Sequence, residues 1–320
     1  MGTPEAVLET LKSCRSILLT GPADPDGDSI GACLALQRWL RHQGLSVEVT
    51  GNPGYRYSWM PGASEMIPDA KISGTPDAVV ILDGDRNRLS PGAGRAFANA
   101  RVRAIIDHHG SNTPEGYTHW WFEPHATSTC EMLYDAMAAV NHPIDRDLAT
   151  VLYVGSIFDT GGFRHSNTTP ATHRMAAVCL QAGVDSASVA LKVLLERRMA
   201  GLRAAGLIYQ TSERHCDDRV LIGELSHADS KQFGLVGGDL EGVVESLLCV
   251  VGTEVSVLLT EKADGTSKVS MRSRGAVNVA QIAGEISKTG GGHAKAAGAS
   301  VPEPLESTKA KLIAAIARVL

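Results

Sequence analysis

Asp107, His108 and His109 stand directly after two apolar β-branched residues, Ile105 and Ile106. An acid and two imidazoles side by side suit a divalent metal such as Mn²⁺, which accepts both oxygen and nitrogen ligands. A charged turn after a buried strand would contain the same residue types. The triplet alone therefore leaves a metal site and a turn open, and further acids at the ends of other strands would favour the metal.

Three aspartates at alternate positions, Asp24, Asp26 and Asp28, follow the short apolar segment 16–20. A proline and a glycine separate them, so several carboxylate oxygens can converge on one cation. Helix N-capping is the alternative, since Asp28 or the neighbouring Ser29 suits the residue that precedes a helix. Capping, however, does not require three acids.

Asp83 repeats this arrangement at the end of the fully apolar segment 78–82, and Asp159 ends a predicted helix over 148–158. Continuous apolar runs are typical of parallel strands buried on both faces. Ligands of open α/β sheets bind at the carboxyl ends of the strands, where these acids are expected to meet. An acid at a helix C-terminus is disfavoured by the helix dipole, so Asp159 indicates a compensating cation. Together these positions favour the metal site over a charged turn.

The elements that must position these residues alternate along the chain. We predict strands over 16–20, 46–50, 78–82 and 103–106, and helices over 5–14, 30–40, 126–137, 148–158, 170–182 and 186–208. The alternation of buried strands and helices predicts an α/β domain with a mainly parallel sheet flanked by helices.

A polar stretch over 213–218 suits a domain junction. Beyond it we predict a smaller α/β domain with a strand over 219–225, a helix over 239–250 and a helix over 279–286. Strands over 255–261 and 268–272 form a hairpin, because Asp264-Gly265 between them is a typical turn.

A run of glycines, Gly290, Gly291 and Gly292, precedes His293 and Lys295. Glycines let a backbone approach a ligand closely and turn its amides toward an anion. A flexible surface loop is the alternative. The adjacent histidine and lysine, with two arginines upstream, favour phosphate binding.

The composition limits the partners. The chain has 320 residues, of which 43% are hydrophobic. Its net charge of −5 argues against bulk electrostatic binding of long duplex nucleic acid. Its six cysteines lack paired ligand spacing and are expected to be reduced core residues. No apolar run reaches membrane-spanning length and no export signal is seen, so we expect a cytoplasmic protein without a membrane partner.

In this order and spacing the motifs resemble those of the DHH/DHHA1 phosphoesterases, in particular the nanoRNase and pAp-phosphatase branch. The matching segments are Asp26-Gly27-Asp28, Asp83, Asp107-His108-His109, Asp159-Thr160-Gly161, and Gly290–His293 with Ala296-Ala297-Gly298. The resemblance spans nearly the whole chain. It implies a DHH metal-binding domain over 1–190, a helical linker over 191–215 and a DHHA1 substrate domain over 216–320.

The resemblance also implies a two-metal site with Mn²⁺ as the first expectation and Mg²⁺ or Co²⁺ as alternatives. Its expected ligands are Asp26, Asp28, Asp83, His108 and Asp159, with Asp83 bridging the two ions. His109 would contact the scissile phosphate, and Asp107 would orient a histidine. The expected nucleotide-binding residues are Arg88, Arg164, Arg272, Asn278, Gly290, Gly291, Gly292 and His293.

One position departs from the family pattern. This branch has a metal-binding histidine three residues before the proline of the first motif, where this chain has Pro22. Some RecJ-type relatives also lack that histidine and have an extra aspartate immediately before the proline. Asp24 occupies that place here, so we expect Asp24, or a water that it orients, to replace part of the lost ligand.

The resemblance implies a metal-dependent phosphoesterase of short nucleotides. The expected substrates are nanoRNAs of two to five nucleotides, linear dinucleotides such as pApA or pGpG, or the 3′-phosphate of pAp. A homodimer is expected from the family alone. The alternatives are a non-catalytic nucleotide-binding protein that lost turnover with the histidine, and a RecJ-like single-strand exonuclease. A pyrophosphatase of the related class is disfavoured by the glycine run.

Overall fold

The structure, a computed structural model, describes residues 2–320. It divides into two compact units, residues 1–196 and residues 197–320. Each unit contains one sheet. Among residues 2–320 no helix is both long and apolar enough to cross a membrane.

The first unit contains eight helices and five strands in the described residues, besides short 3₁₀ turns. They are α1 (Pro4–Lys12), β1 (Ile17–Thr20), α2 (Gly27–His42), β2 (Val47–Thr50), α3 (Gly54–Tyr57), β3 (Ala78–Leu82), α4 (Pro91–Asn99), β4 (Val102–Asp107), β5 (His119–Phe122), α5 (Thr129–Ala139), α6 (Arg146–Asp159), α7 (Pro170–Gln181) and α8 (Ser186–Ala190). A π-helical turn, Leu191–Leu195, follows α8.

The five strands of this unit are all parallel, in the order β2-β1-β3-β4-β5. Alternate residues of β1, β3, β4 and β5 enter cores on opposite faces of the sheet: Val80 lies on one side, with α2, α5 and α6, and Ile81 on the other, with α4. Burial on both faces explains why β1, β3 and β4 are mostly apolar. The prediction of a parallel α/β domain is confirmed.

The second unit packs helices on both faces of a six-stranded sheet. Its elements are α9 (Met199–Thr211), β6 (Glu213–His215), β7 (Val220–Leu225), α10 (His227–Phe233), α11 (Val243–Leu248), β8 (Val255–Glu261), β9 (Ser267–Ser273), α12 (Val279–Ile286), β10 (Gly291–His293), β11 (Ala296–Val301) and α13 (Leu305–Ala317). The order is β10-β11-β9-β8-β7-β6, antiparallel except for the pair β7 and β8. The second α/β domain is thereby confirmed.

The single helix predicted over 186–208 is wrong. The backbone is extended at Glu196 and Arg198, between the π-helical turn and α9. The apolar residues before and after this break enter different cores, with Val193 in the first unit and Ile208 in the second. A continuous apolar pattern therefore concealed a change of unit.

Candidate active site

The candidate site lies at the carboxyl ends of three adjacent strands, β1, β3 and β4. Asp83 follows β3, and β4 ends at Asp107, which His108 and His109 follow. The loop after β1 leads into α2, and the strand order places β3 between β1 and β4. The order of the strands therefore brings the motif-bearing loops together.

Asp83 is the central carboxylate of the site. Its Oδ1 lies 3.4 Å from Nε2 of His108 and 3.6 Å from Nδ1 of His109, and the residue is 4% exposed. Burial alone would raise its pKa, but the hydrogen bond with His108 and the charges of both histidines lower the pKa to about 2. Its backbone is in the left-handed region, with φ of 56°, which aspartate tolerates better than most residues.

His108 is held by a carbonyl on one side and faces carboxylates on the other. Its Nδ1 lies 3.2 Å from the carbonyl oxygen of Ala126, and its Nε2 lies 3.2 Å from Oδ2 of Asp159. The carbonyl can only accept, so Nδ1 carries the hydrogen and Nε2 is the ring nitrogen that faces the acids. Burial opposes the charged ring, but the hydrogen bonds with Asp159 and Asp83 raise the pKa of His108 well above its usual value.

Asp28 belongs to the first turn of α2. It is fully buried, and its side chain faces the N-terminus of α5. Its oxygens accept hydrogen bonds from the backbone N–H groups of Thr129, at 2.7 Å, and Cys130, at 3.0 Å. Burial, and then the charge of Asp83, raises the pKa of Asp28 to about 8. A Cβ on Gly155 of α6 would lie 2.3 Å from Oδ1 of Asp28, so the site requires a glycine there.

Asp26 caps α2. Its Oδ1 accepts hydrogen bonds from the backbone N–H groups of Asp28, at 3.0 Å, and Ser29, at 3.1 Å. The capping role considered for Asp28 or Ser29 is therefore wrong, because the helix begins at Gly27 and its cap is Asp26. Burial and the charges of Asp83 and Asp159 raise the pKa of Asp26 well above its usual value. Asp26 is therefore close enough to these two carboxylates to be repelled by them.

Asp107 holds His109 by two contacts. Its Oδ1 lies 2.8 Å from Nδ1 of the His109 ring, and its Oδ2 accepts a hydrogen bond from the His109 backbone N–H at 3.0 Å. Asp107 is fully buried. Burial lowers the pKa of His109, but the Asp107 carboxylate outweighs it and raises that pKa above its usual value.

The loop after Asp159 folds back onto the end of α6. The Asp159 carbonyl oxygen lies 3.0 Å from Nδ1 of His165 and accepts from Nδ2 of Asn167 at 3.3 Å. Arg164 donates from Nε to the Gly161 carbonyl at 2.5 Å. In these contacts Arg164 stabilises the loop.

The donor set fits divalent cations. Donor atoms of Asp28, Asp83 and His108 lie within 4.8 Å of one another, and so do those of Asp83, Asp107 and His109. With Asp26 and Asp159, five carboxyl groups accompany two imidazoles, so ionising all five would leave negative charge in excess even with both rings protonated, and the raised pKa values of Asp26 and Asp28 reflect this repulsion. Such an excess in a buried site is disfavoured without cations, and mixed oxygen and nitrogen donors suit Mn²⁺ or similar ions. Asp83 belongs to both groups.

The remaining residues predicted for the first unit lie at the edge of this cluster. Pro22 is buried and packs on Gly84, where a Cβ would lie 3.2 Å from the proline Cδ. Asp24 and Arg88 are exposed, although the charge of Arg88 helps to lower the Asp83 pKa. The structure does not bring Asp24 into the groups of donor atoms described above.

In the second unit, Arg272, Ala296 and His293 form one row across β9, β11 and β10. Residues directly opposite each other in antiparallel strands have side chains on the same face. The next row on this face is Ser270, Gly298 and Gly291. We call these six residues the small-residue face; they are partly or fully exposed, whereas the alternate residues of β9 and β11 enter the core.

The glycine run is a strand rather than a loop, since Gly291–His293 pairs with β11. Packing requires glycine at positions 290 and 292. A Cβ on Gly290 would lie 1.8 Å from the Ala283 carbonyl oxygen, and a Cβ on Gly292 would lie 2.5 Å from the Ala296 carbonyl oxygen. A Cβ on Gly291 would meet nothing within 4 Å. Packing of the described residues therefore gives no reason for glycine at position 291.

Three polar residues near this strand have structural contacts. Lys295 donates to the carbonyl oxygens of Gly275 and Val277, so its described contacts hold the backbone before α12. Asn278 caps α12 through Oδ1. Arg272 pairs with Glu245 at 2.6 Å.

Several residues that build the site were not predicted from the sequence. The amides of Thr129 and Cys130, the carbonyl of Ala126 and the glycine at 155 act through backbone or through the absence of a side chain. Asn112 contacts Asp107 and the Gly84 carbonyl. Only Asn112 carries a local signal, because it follows the histidines closely; the others depend on long-range packing.

Comparisons with known proteins agree with this arrangement. Residues 16–156 match the N-terminal domain of the DHH family, and residues 217–320 match the DHHA1 domain. The chain is 30% identical over 297 residues to the bifunctional oligoribonuclease and PAP phosphatase NrnA of Thermus thermophilus, covering 92% of this chain and 87% of the relative. The Bacillus subtilis protein of the same name is 26% identical over 301 residues, covering 92% of each chain.

A solved structure shares the fold. The exopolyphosphatase-related protein of Bacteroides fragilis aligns with a TM-score of 0.85 at 23% identity, over 98% of this chain and 95% of that one. The chain belongs to the DHH/DHHA1 family of phosphoesterases, as the motifs predicted. It is accordingly a hydrolase of this family.

Proposed function

We propose that this protein hydrolyses the phosphoester bonds of short nucleotides with two divalent cations, Mn²⁺ first among them. The substrates proposed are nanoRNAs, the linear dinucleotides pApA and pGpG, and the 3′-phosphate of pAp. The main support is that donor atoms of Asp28, Asp83 and His108 lie within 4.8 Å of one another, with Oδ2 of Asp159 3.2 Å from Nε2 of the same His108 ring. The names of the Thermus and Bacillus relatives support the choice of substrates.

We assign the cations to Asp26, Asp28, Asp83, His108 and Asp159. When bound, a pair of cations lowers the pKa of water and neutralises charge on the transferring phosphate. The chain's own residues orient the ligands: the α5 amides hold Asp28, and the Ala126 carbonyl fixes the ring of His108.

We assign contact with the scissile phosphate to His109. Asp107 engages Nδ1, so we propose that Nε2 is the ring nitrogen that meets a phosphate oxygen. In the overall reaction the oxygen of water bonds to phosphorus, the bond from phosphorus to the leaving oxygen breaks, and that oxygen gains a proton. Arg88 and Arg164 are proposed to attract the adjoining phosphates.

We assign nucleotide binding to the domain over 216–320, and the chemistry to the domain over 1–190. The small-residue face leaves room for a flat or extended ligand, with Arg272 and His293 to meet its phosphate. Gly291 supports this assignment because packing does not explain it. Asn278 and Gly290–Gly292 are proposed to contact the same ligand.

A panel of substrates tests the proposal. Purified protein with Mn²⁺ is expected to convert pApA and pGpG to mononucleotides and pAp to AMP, with single-stranded DNA and pyrophosphate as slower substrates. Nucleotide binding without turnover on the whole panel would favour the non-catalytic alternative, for which the buried Pro22 in place of a histidine is the supporting observation.

The role of Asp24 needs a separate measurement. We propose that Asp24, or a water it orients, supplies part of the ligand lost at Pro22. Asp24→Ala is then expected to lower the Mn²⁺ stoichiometry or affinity measured by titration calorimetry. Unchanged metal binding and turnover would reject this role.

Location and assembly are proposed on narrower grounds. Cys14, Cys33, Cys130 and Cys179 are buried free thiols, which suits the reducing cytoplasm. A homodimer is proposed from family resemblance alone, and light scattering of the purified protein would measure its mass in solution.

A further inference from the structure

Asn112 connects two loops of the candidate active site. Its Nδ2 donates one hydrogen bond to the Gly84 carbonyl at 2.9 Å and a second, short one to Oδ2 of Asp107. Gly84 follows Asp83 after β3, whereas Asp107 ends β4. The side chain of Asn112 therefore bridges the ends of two neighbouring strands.

Only a side chain with two hydrogens on one atom can make both bonds at this short range. An asparagine amide has them, a serine hydroxyl has one, and an aspartate carboxylate has none. An aspartate would also place a second negative charge against the buried Asp107. The two acceptors thus select for asparagine.

The contact with Asp107 completes the hydrogen bonding of that carboxylate. Oδ1 lies against Nδ1 of His109, while Oδ2 accepts from the His109 backbone and from Asn112. Three contacts fix the plane of the carboxylate, and its Oδ1 in turn fixes the rotation of the His109 ring. Removing Asn112 would leave the carboxylate held by its two contacts to His109 alone, with no hold on the Asp83 loop.

The contact with Gly84 fixes the other side of the bridge. Gly84 has no side chain and packs on Pro22 of the loop after β1, at a distance that leaves a Cβ 3.2 Å from the proline Cδ. The peptide after Asp83 is therefore enclosed between Pro22 on one loop and Asn112 on another.

We infer that Asn112 is a positioning residue: it holds Asp107, and through Asp107 the ring of His109, at a fixed place relative to the Asp83 loop. This inference rests on the proposed function only for its kinetic consequence. A residue that orients the partner of a functional histidine is expected to change turnover more than substrate binding, by about 10- to 100-fold.

Substitutions at Asn112 and Asp107 test the inference with pApA and Mn²⁺. Asn112→Ala is expected to lower kcat about 10- to 100-fold with KM within about twofold, and Asn112→Ser, which keeps one donor, is expected to recover part of it. In an Asp107→Asn background Asn112→Ala is expected to have little further effect, because both act through one carboxylate. Asn99→Ala is the matched control. Asn99 ends α4, shortly before β4, and so lies toward the amino ends of the strands, away from the site; its kcat is expected to be unchanged.

A wild-type kcat in Asn112→Ala, or a loss that multiplies fully with that of Asp107→Asn, would overturn the inference. A raised KM with unchanged kcat would also overturn it. A large decrease in Tm would overturn it as well, because it would show that Asn112 mainly stabilises the fold. A second readout does not depend on turnover: the downfield proton resonance of the His109 Nδ1–H group, assigned with His109→Gln, is expected to shift in Asn112→Ala. If wild type is inactive on every substrate, the proposed function fails, and an unchanged resonance would then reject the positioning role as well.

Discussion

The two units of this chain use their sheets in opposite ways. The parallel sheet of the first unit gathers buried charges at the ends of its strands, where each carboxylate or imidazole has a fixed partner. The mixed sheet of the second unit presents an open face of Ser270, Ala296, Gly298 and Gly291 beside Arg272 and His293. On the proposed assignment, converging charge at strand ends would serve the chemistry, and a strand face with small side chains would serve recognition. Substitutions in the two regions should therefore separate turnover from binding.

The largest effect is expected from Asp83→Asn in the first unit. An amide loses the negative charge shared by both groups of donor atoms, so pApA hydrolysis is expected to fall about 10³-fold or more. The fold should persist, because asparagine tolerates the left-handed backbone of this position. Steady-state kinetics and thermal unfolding measure the two quantities, with Asp85→Asn as the neighbouring control. Activity within tenfold of wild type would show that the Asp83 carboxylate is not essential for the reaction.

Gly155→Ala tests how tightly the first unit encloses Asp28. The new Cβ would lie 2.3 Å from Oδ1 of Asp28 and 2.4 Å from the Cys130 sulfur, so α5 or α6 must shift. We expect a loss of about 1–3 kcal/mol in the free energy of unfolding, measured with urea, together with weaker Mn²⁺ binding by calorimetry. Gly94→Ala in α4, where a Cβ meets nothing within 4 Å, is the control and should be neutral or stabilising. Equal behaviour of the two variants would contradict the close packing at Asp28.

Gly291→Ala tests the second unit in the opposite way. A Cβ there meets nothing within 4 Å, so the free energy of unfolding is expected to stay within about 0.5 kcal/mol of wild type. If a nucleotide approaches this strand closely, KM for pApA is expected to rise roughly tenfold, which corresponds to about 1.4 kcal/mol of binding, at constant kcat. Gly284→Ala in α12 is the matched control. A fall in kcat without a change in KM would blur the separation between the two units.

Asp69→Asn is expected to have the smallest effect and compares two kinds of carboxylate within the first unit. Burial alone would raise the pKa of Asp69, but hydrogen bonds from the Ser90 hydroxyl and from the amides of Gly92 and Ala93 hold that pKa below its usual range. These bonds are made at the start of α4, so losing the charge is expected to cost about 1 kcal/mol of stability at pH 7.

The pH dependence of this difference has a definite sign. Because the folded pKa of Asp69 is lowered, its stabilisation is present above the pKa of the unfolded chain, near 4, and is lost as the pH falls through the folded pKa. Urea unfolding of wild type and Asp69→Asn should therefore give curves that converge below about pH 4. A difference that grows on acidification would show that Asp69 does not act as a charged cap.

Much of the first unit could be predicted from its sequence because the relevant signals are local. Apolar runs buried on both faces marked β1, β3 and β4, and the acids after them marked the site. The strand β5 was not predicted: His119–Phe122 at the edge of the sheet lacks a continuous apolar run. The contacts that orient Asp28 and His108 come from residues about 100 and 18 positions away, respectively, and no spacing rule indicates them.

The second unit was harder to predict because its sheet depends on pairing. A run of glycines has no strand pattern, and β10 forms only because β11 provides a partner. Likewise the apolar pattern over 186–208 continues through the break at Glu196. Periodicity alone does not indicate that the residues before and after the break enter different cores.

The glycine that follows Asp83 also affects how the Asp83→Asn experiment must be done. That substitution places an asparagine directly before Gly84, and asparagine followed by glycine is the pair most prone to deamidation. Spontaneous loss of ammonia would convert part of the sample back to aspartate, or to its isoaspartyl isomer, during storage. Activity that is absent in fresh Asp83→Asn protein and grows with age would then be a chemical reversion, and its return would itself show that the site requires the carboxylate.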